Sequence, residues 1–223
     1  MIHILSTYGS LLLRAMGQTL LLALCGLFFA CILGLIFGLL SVVKNRACNA
    51  ASTIFVDIIR GVPMIVLAFM IYFGVPQLIN EIFTGAKFTL SALQAGTVAL
   101  ALNCGAYMAE IIRAGIQSVD KGQMEASRSL GLSYAKSMRL VILPQAIRTM
   151  VPSIINQFII TLKDTSILSV IGFPELTNMG KTIAGNTFKS LQTWAIVGIM
   201  YMIVIVALSK LAKRIERRID RGR

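Results

Sequence analysis

The stretch GQTLLLALCGLFFACILGLIFGLLSVV, Gly17 to Val43, contains no charged residue. A helix that spans a bilayer needs about 20 consecutive, mostly apolar residues, and this stretch exceeds that length. It is also too long for the apolar region of a secretory signal, and no small-residue cleavage site follows it. We therefore predict that it forms the first span of an integral membrane protein.

Four further windows without charge predict four further spans. They are Gly61–Asn80, Phe88–Ala109, Thr149–Leu162 and Ser190–Ser209, of which the third extends back past Arg148. The chain is 57% hydrophobic and only 13% charged, whereas about a quarter of residues are charged in soluble domains. We predict an all-α integral membrane fold, with one transmembrane domain over residues 1–223. The predicted spans cover about 17–43, 55–75, 89–112, 139–162 and 190–210.

The basic residues predict the orientation of these spans, because Lys and Arg concentrate in cytoplasmic loops. Seven basic residues lie in the connections after the first and third spans, and seven more lie in the tail. The opposite side carries only Arg14, Lys87, Lys181 and Lys189. The N-terminus is thus predicted outside and the C-terminus in the cytoplasm. This asymmetry accounts for the net charge of +12 without a nucleic-acid partner, and the basic tail is predicted to lie on anionic membrane lipid.

Metal and nucleotide sites are not predicted within the chain. Its one histidine is His3, and its four cysteines form no CxxC pair. The GKT at Gly180–Thr182 resembles the end of a P-loop, but Glu175 stands where that motif needs its first glycine. We predict no metal, no cofactor and no ATP bound by this chain.

A polar stretch, KGQMEASRSLGLSYAKSMRLVILPQ (Lys121–Gln145), interrupts the apolar sequence. It lies in the longest predicted cytoplasmic loop, 113–138, and is rich in helix-forming residues. Gly131 predicts a cap or a tight turn between two short helices, and Pro144 predicts a kink at the start of the fourth span. These elements would form a rigid projection suited to docking a soluble protein, although a purely structural loop also fits the residues.

This stretch resembles the EAA loop of ABC-importer permeases. Glu125-Ala126-Ser127, Gly131 and Leu143-Pro144 keep the spacing of that motif, with Ser127 in place of an alanine and Val141 in place of an isoleucine. Further segments are similar to the polar amino-acid permeases in particular: FVDIIRGVPM (55–64), IYFGVP (71–76), GAYMAEIIRAGIQSVDKGQ (105–123), LPQA (143–146) and LKDTS (162–166). One departure is Val62, where that family usually has threonine.

The resemblance implies a type I importer fold with five transmembrane helices in the bacterial inner membrane. It also implies a second permease copy or a sister permease, two cytoplasmic ATPase subunits that bind ATP-Mg, and an extracytoplasmic amino-acid-binding protein. The ATPase-coupling residues would be Gly122, Glu125, Ala126, Ser127, Leu130 and Gly131. The chain would be a transport subunit rather than an enzyme.

Polar residues at membrane depth are candidates for the substrate site, because such residues are costly there. They are Asn103, Cys104, Tyr107, Asn156, Gln157 and Thr161. Hydrogen bonding between helices is the alternative role for these side chains. The resemblance favours a substrate site with Asn103, Cys104, Tyr107, Gln157 and Thr161.

The side chain at position 157 predicts the kind of amino acid carried. In the family that the chain resembles, members that carry cationic amino acids have a glutamate at the matching position. A neutral Gln157 favours a neutral polar amino acid such as glutamine, because burying an unpaired cation is costly. Basic amino acids and cystine are the alternative substrates that the sequence leaves open.

Gating positions are predicted at Arg60, Gly61, Pro63 and Pro144, since glycine and proline interrupt helices and free backbone groups to line a cavity. Glu110 with Arg113, and Asp57 with Arg60, are predicted to pair along their helices. Lys163-Asp164 could be either an ion pair at a helix end or a gate contact.

Two other functional classes were weighed. An ion-coupled secondary carrier acting alone would show inverted repeats and carboxylates in mid-membrane, but no convincing repeat is present and the acidic residues cluster near span ends. A membrane enzyme would need a convergent acid–base or metal set, which the scattered carboxylates do not predict.

Overall fold

The computed structural model describes the backbone of residues 1–83 and 87–220, and side chains within these ranges up to residue 214. All regular structure in these ranges is helical. The helices are α1 (Ile2–Leu40), α2 (Arg46–Gly61), α3 (Met64–Phe69), α4 (Val75–Ile82), α5 (Ala92–Gln117), α6 (Lys121–Ser129), α7 (Tyr134–Ser137), α8 (Leu143–Asp164), α9 (Leu176–Thr187) and α10 (Ser190–Asp220). π-Helical turns at Met70–Gly74 and Met138–Ile142 join α3 to α4 and α7 to α8, and a 3₁₀ helix at Thr165–Ile171 continues α8.

Among the described residues, five helical segments are long and apolar enough to cross a membrane, which confirms the predicted number of spans. They are Ile2–Leu40, Met64–Ile82, Ala92–Gln117, Tyr134–Ile171 and Ser190–Arg214. The basic tail at Arg221 and Arg223 lies outside the described residues, as do the side chains of Arg217 and Arg218.

The helices extend beyond the predicted spans 17–43, 89–112, 139–162 and 190–210 at one end or both, although α1 ends at Leu40 and α5 begins only at Ala92. The prediction ended each span near a charged residue. Such a residue does not end a helix when a side chain of opposite charge pairs with it in the same helix. Arg113 hydrogen-bonds Glu110 one turn earlier, so α5 continues to Gln117. The predicted loop 113–138 is therefore helical over its first five residues, and the connection begins at Ser118.

The second span differs most from its prediction of 55–75. Residues 55–61 belong to α2, a separate amphipathic helix that Asn45 caps at its start. The helix ends at Gly61, Val62 is extended, and the spanning helix begins at Met64. Pro63 explains the break, because a residue that precedes proline is driven out of the helical conformation.

A wide turn of the helix directly precedes Leu143-Pro144, where the sequence predicted a kink. The helix continues through the π-helical turn Met138–Ile142 directly before Leu143-Pro144. Proline has no N–H for the preceding carbonyls. The side-chain amide of Gln145 adds a hydrogen bond at this point by donating to the carbonyl of Val141, at 2.9 Å.

The first and third spans, α1 and α5, run parallel and in close contact. A Cβ atom added at Gly26 would lie 2.7 Å from the Cβ of Leu100, and one added at Gly34 would lie 2.5 Å from the Cβ of Met108. Small residues allow such approach where lipid provides no hydrophobic drive between helices. This pair forms the centre to which the other helices are attached.

A cluster of buried apolar side chains closes the end of the bundle that holds α9. Ile4, Leu12, Leu176 and Ile196 pack there, which explains why α1 begins at Ile2 rather than at Gly17. Gly180–Thr182, the P-loop-like sequence, lies within α9, and Lys181 Nζ donates to the Ser169 hydroxyl at 2.9 Å.

Candidate functional site

The polar stretch forms a rigid projection at the end of the bundle opposite α9. Asp120 caps α6 by accepting from the N–H of Gly122 at 2.7 Å. Gly131 has φ +83°, a left-handed conformation that suits glycine, and it turns the chain from α6 towards α7. The predicted pair of short helices with a glycine turn is confirmed. We call residues 121–137 the coupling segment.

The coupling segment has a buried side and an exposed side. Ser127 is buried, and Met124 packs on the cluster of Ile112, Ile116 and Ile142, which ties the segment to α5 and α8. Leu130 is 84% exposed, and Gly122, Glu125, Ala126 and Gly131 are exposed as well. Of the predicted coupling residues, all but Ser127 are therefore accessible to a partner, and Ser127 anchors the surface that they form.

The break between α2 and α3 opens a cavity of about 510 Å³, which we call the central cavity. It lies between this break, α5 and α8. Its walls are Arg60, Gly61, Val62, Pro63, Met64, Asn103, Tyr107, Gln157, Ile160 and Asp164. This volume is within the usual range for small-molecule sites, about 300–1,000 Å³.

The predicted substrate residues divide into two groups. Asn103, Tyr107 and Gln157 line the central cavity. Cys104 and Thr161 lie behind its wall: Cys104 packs with Ala30 and Met108, and the Thr161 hydroxyl donates to the Gln157 carbonyl at 2.9 Å. The predicted gate residues Arg60, Gly61 and Pro63 line the cavity, whereas Pro144 does not.

Sequence reasoning missed Ile160 and left the role of Asp164 open between an ion pair and a gate contact. Both line the cavity, and they follow Gln157 by three and seven residues on α8, so helical spacing from Gln157 would have found them. Asn156, a further candidate, is exposed and is not part of the wall.

Arg60 separates the central cavity from a second cavity of about 320 Å³ nearer the coupling segment. We call this second cavity the vestibule. Its walls are Ser41, Asn49, Ser52, Thr53, Val56, Asp57, Arg60, Ala109, Glu110, Arg113 and Gln117. Arg60 lies with its guanidinium carbon 5.0 Å from the centre of the Tyr107 ring.

The ion pairs at this boundary differ in part from those predicted. Arg113 Nε donates to Glu110 Oε2 at 2.9 Å, as predicted. Arg60 Nη1 lies 4.0 Å from Glu110 Oε2, so the ion pair of Arg60 is with Glu110 rather than with the predicted Asp57. Within the described residues, no group of three or more His, Cys, Asp or Glu side chains could hold a metal ion.

Residues 30–221 match the family described as binding-protein-dependent transport system inner membrane component. The chain belongs to this family. It is therefore a multi-pass inner-membrane transport subunit, and ATP hydrolysis takes place in a separate subunit.

Individual relatives within this family are amino-acid permeases. The chain is 37% identical to the glutamine transport system permease protein GlnP of Escherichia coli K12 over 93% of this chain and 92% of the relative. It is 32% identical to the arginine transport system permease protein ArtQ of Bacillus subtilis, over 93% and 92%. A solved structure described as an amino acid ABC transporter with histidines matches with a TM-score of 0.88 at 36% identity, covering 96% of each chain. The chain is a permease of an ABC importer for amino acids, not a carrier that acts alone.

Proposed function

We propose that the chain carries a neutral polar amino acid, with glutamine favoured, into the cytoplasm, and that the central cavity is its binding site. The observation that supports this proposal most is the composition of the cavity wall. Two buried neutral amides, Asn103 and Gln157, lie beside one cation, Arg60, and one anion, Asp164. A free amino acid offers matching groups: a carboxylate for Arg60, an ammonium for Asp164, and a polar side chain for the amides.

The neutrality of Gln157 favours glutamine over arginine. A cationic side chain beside Gln157 and Asn103 would leave its charge without a carboxylate, which is costly for a charge that gives up hydration to bind. The relatives include both glutamine and arginine permeases, so the discrimination rests on this cavity wall.

The coupling segment is proposed to dock in a groove of a cytoplasmic ATPase through Glu125, Ala126, Leu130 and Gly131. Two permeases, either two copies of this chain or this chain with a sister permease, would each dock one of two ATPases. ATP-Mg bound by those subunits would bring the two coupling segments together and alternate the access of the central cavity. A binding protein would deliver the amino acid at the α9 end, which is then extracytoplasmic.

Co-purification tests this coupling surface. The protein would be purified from membranes with a candidate ATPase subunit of an amino-acid importer, in parallel with Glu125→Arg and with Glu81→Arg, the same charge reversal at an exposed carboxylate outside the coupling segment, as the control. Glu125→Arg is expected to lose the ATPase while inserting normally, because a cation replaces an exposed anion in the centre of the surface. Retention of the ATPase by Glu125→Arg would overturn the proposed docking surface.

A further inference from the structure

The vestibule carries charged groups that the proposed central site does not use. Glu110 is already paired, because Arg113 donates to both of its carboxylate oxygens. Asp57 lines the vestibule and has no cationic partner within 4.0 Å in the described part of the chain. Of the two carboxylates and two guanidinium groups that line the vestibule, Glu110 and Arg113 pair closely with each other, which leaves Asp57 unpaired among the described residues and Arg60 only weakly paired, at 4.0 Å from Glu110.

Arg60 is shared between the two cavities. Its guanidinium group is only at the limit of contact with Glu110, at 4.0 Å, and it lines the central cavity as well as the vestibule. A guanidinium has five N–H donors in a planar fork, so a carboxylate can approach it from either side. Asp164 is the anion on the central side of Arg60, and Asp57 is the anion on the vestibule side.

We infer that the vestibule is a second binding site for the ammonium and carboxylate groups of an amino acid, formed by Asp57 and Arg60. This inference rests on the proposed function. An amino acid that leaves the central cavity would keep its carboxylate on Arg60 and exchange Asp164 for Asp57 as the partner of its ammonium group. Hydroxyl and amide groups of Thr53 and Gln117 line the same space, so the site accepts polar side chains.

The shared arginine has a consequence for transport. An amino acid held between Asp57 and Arg60 occupies the cation that the next substrate needs in the central cavity. Amino acid that accumulates on the side of the coupling segment would therefore enter the vestibule and slow uptake. The vestibule would thus bind transported amino acid and limit how much of it accumulates on the side of the coupling segment.

The test uses the complete transporter in vesicles, with ATP and a chosen concentration of unlabelled L-glutamine on the coupling-segment side. Uptake of labelled L-glutamine is measured for the wild type, for Asp57→Asn, and for Glu81→Gln as a control at an exposed carboxylate outside both cavities. Thr53→Leu narrows the vestibule without a change of charge and is measured in parallel. Glutaramate, which is glutamine without its ammonium group, is compared as the inhibitor.

L-glutamine on the coupling-segment side is expected to inhibit the wild type and Glu81→Gln equally. Asp57→Asn is expected to need about tenfold more L-glutamine for the same inhibition, since one charge-assisted hydrogen bond is lost. Thr53→Leu is expected to shift in the same direction, and glutaramate is expected to inhibit the wild type and Asp57→Asn alike.

Uptake that is insensitive to L-glutamine on the coupling-segment side, or inhibition that is the same in Asp57→Asn and the wild type, would overturn the vestibule site and leave the proposed function standing. A wild type that takes up no amino acid would instead overturn the proposed function, and the vestibule site with it.

Discussion

Gln157 is the residue proposed to make the central cavity favour neutral over cationic amino acids. It is buried on α8 with its side chain in the cavity wall. Asp164 is the one carboxylate of this wall, and the proposal pairs it with the ammonium group that every amino acid carries. A change at residue 157 therefore acts on the recognition of the substrate side chain.

Gln157→Glu is expected to change the substrate preference from glutamine towards arginine. The new carboxylate gives a cationic side chain its partner, and a charge-assisted hydrogen bond contributes about 1.5–3 kcal/mol. The measurement is ATP hydrolysis by the reconstituted transporter with L-glutamine or L-arginine. Asn156→Asp adds the same charge one residue away, outside the cavity, and should leave the preference unchanged. An unaltered preference in Gln157→Glu would contradict the assignment of this wall.

Glu175 is a buried carboxyl group outside the spans, at the start of α9. It accepts hydrogen bonds from the N–H groups of Thr177 and Asn178 at 2.8 and 2.6 Å, and from the Tyr201 hydroxyl at 2.7 Å. Burial raises the pKa of Glu175 above its ordinary value of 4.5, and these hydrogen bonds offset only part of the increase. The folded protein thus binds this proton more tightly than the unfolded chain does.

The stability of the protein is expected to depend on pH through Glu175. Because the folded pKa is raised, the free energy of unfolding should fall as the pH rises from 4.5 through the folded pKa, and then level off. Thermal unfolding in detergent across this range measures the effect. Glu175→Gln should remove this part of the pH dependence, whereas Glu81→Gln, at an exposed carboxylate, should retain it. An identical slope in Glu175→Gln and the wild type would refute the effect.

At the scale of helices, the parallel packing of α1 on α5 is sensitive to side-chain size. A Cβ atom at Gly34 would lie 2.5 Å from the Cβ of Met108 and 3.3 Å from the carbonyl oxygen of Gly105, so neither helix could avoid it without moving. Gly17, in the same helix, has no neighbouring atom within 4 Å of an added Cβ.

Gly34→Ala is expected to destabilise the protein by about 1–3 kcal/mol through overpacking. Gly17→Ala is the matched control and should be neutral or stabilising by up to about 1 kcal/mol, since alanine favours the helix more than glycine does. Thermal unfolding of both variants in the same detergent distinguishes them. Equal effects of the two substitutions would show that the helices are not packed this closely.

The glycine turn of the coupling segment was predicted correctly, because Gly131 permits a left-handed backbone conformation by its own chemistry. An interruption at Pro63 was also expected, but the prediction kept residues 55–61 in the second span, whereas they belong to α2. The bounds of α1 and α5 could not be predicted in this way. They depend on tertiary packing around Ile4 and on the local pairing of Glu110 with Arg113.

Part of the wall of the central cavity could also be predicted from single residues. Asn103, Tyr107 and Gln157 were found because polar residues are rare at membrane depth. Cys104 and Thr161, predicted in the same way, lie outside the lining, and the Thr161 hydroxyl donates to the carbonyl of Gln157 one turn earlier. The vestibule was not predicted, because it forms only where α2 folds against α5.

For the whole molecule, the central claim is that this permease moves an amino acid only when a separate ATPase drives it. The coupling segment and the central cavity are connected by one helix. The chain passes from the coupling segment through the π-helical turn Met138–Ile142 into α8, which carries Gln157 in the cavity wall. Movement of the coupling segment would therefore reach the cavity through this helix.

The most direct test is uptake of labelled L-glutamine by vesicles that contain the permease, its ATPase and ATP on the coupling-segment side, with the binding protein on the other side. Accumulation should require ATP and the ATPase, and it should be lost in Gly131→Arg, which disrupts the left-handed turn of the coupling segment. Accumulation by the permease alone, driven by a proton or sodium gradient and unaffected by Gly131→Arg, would contradict the account.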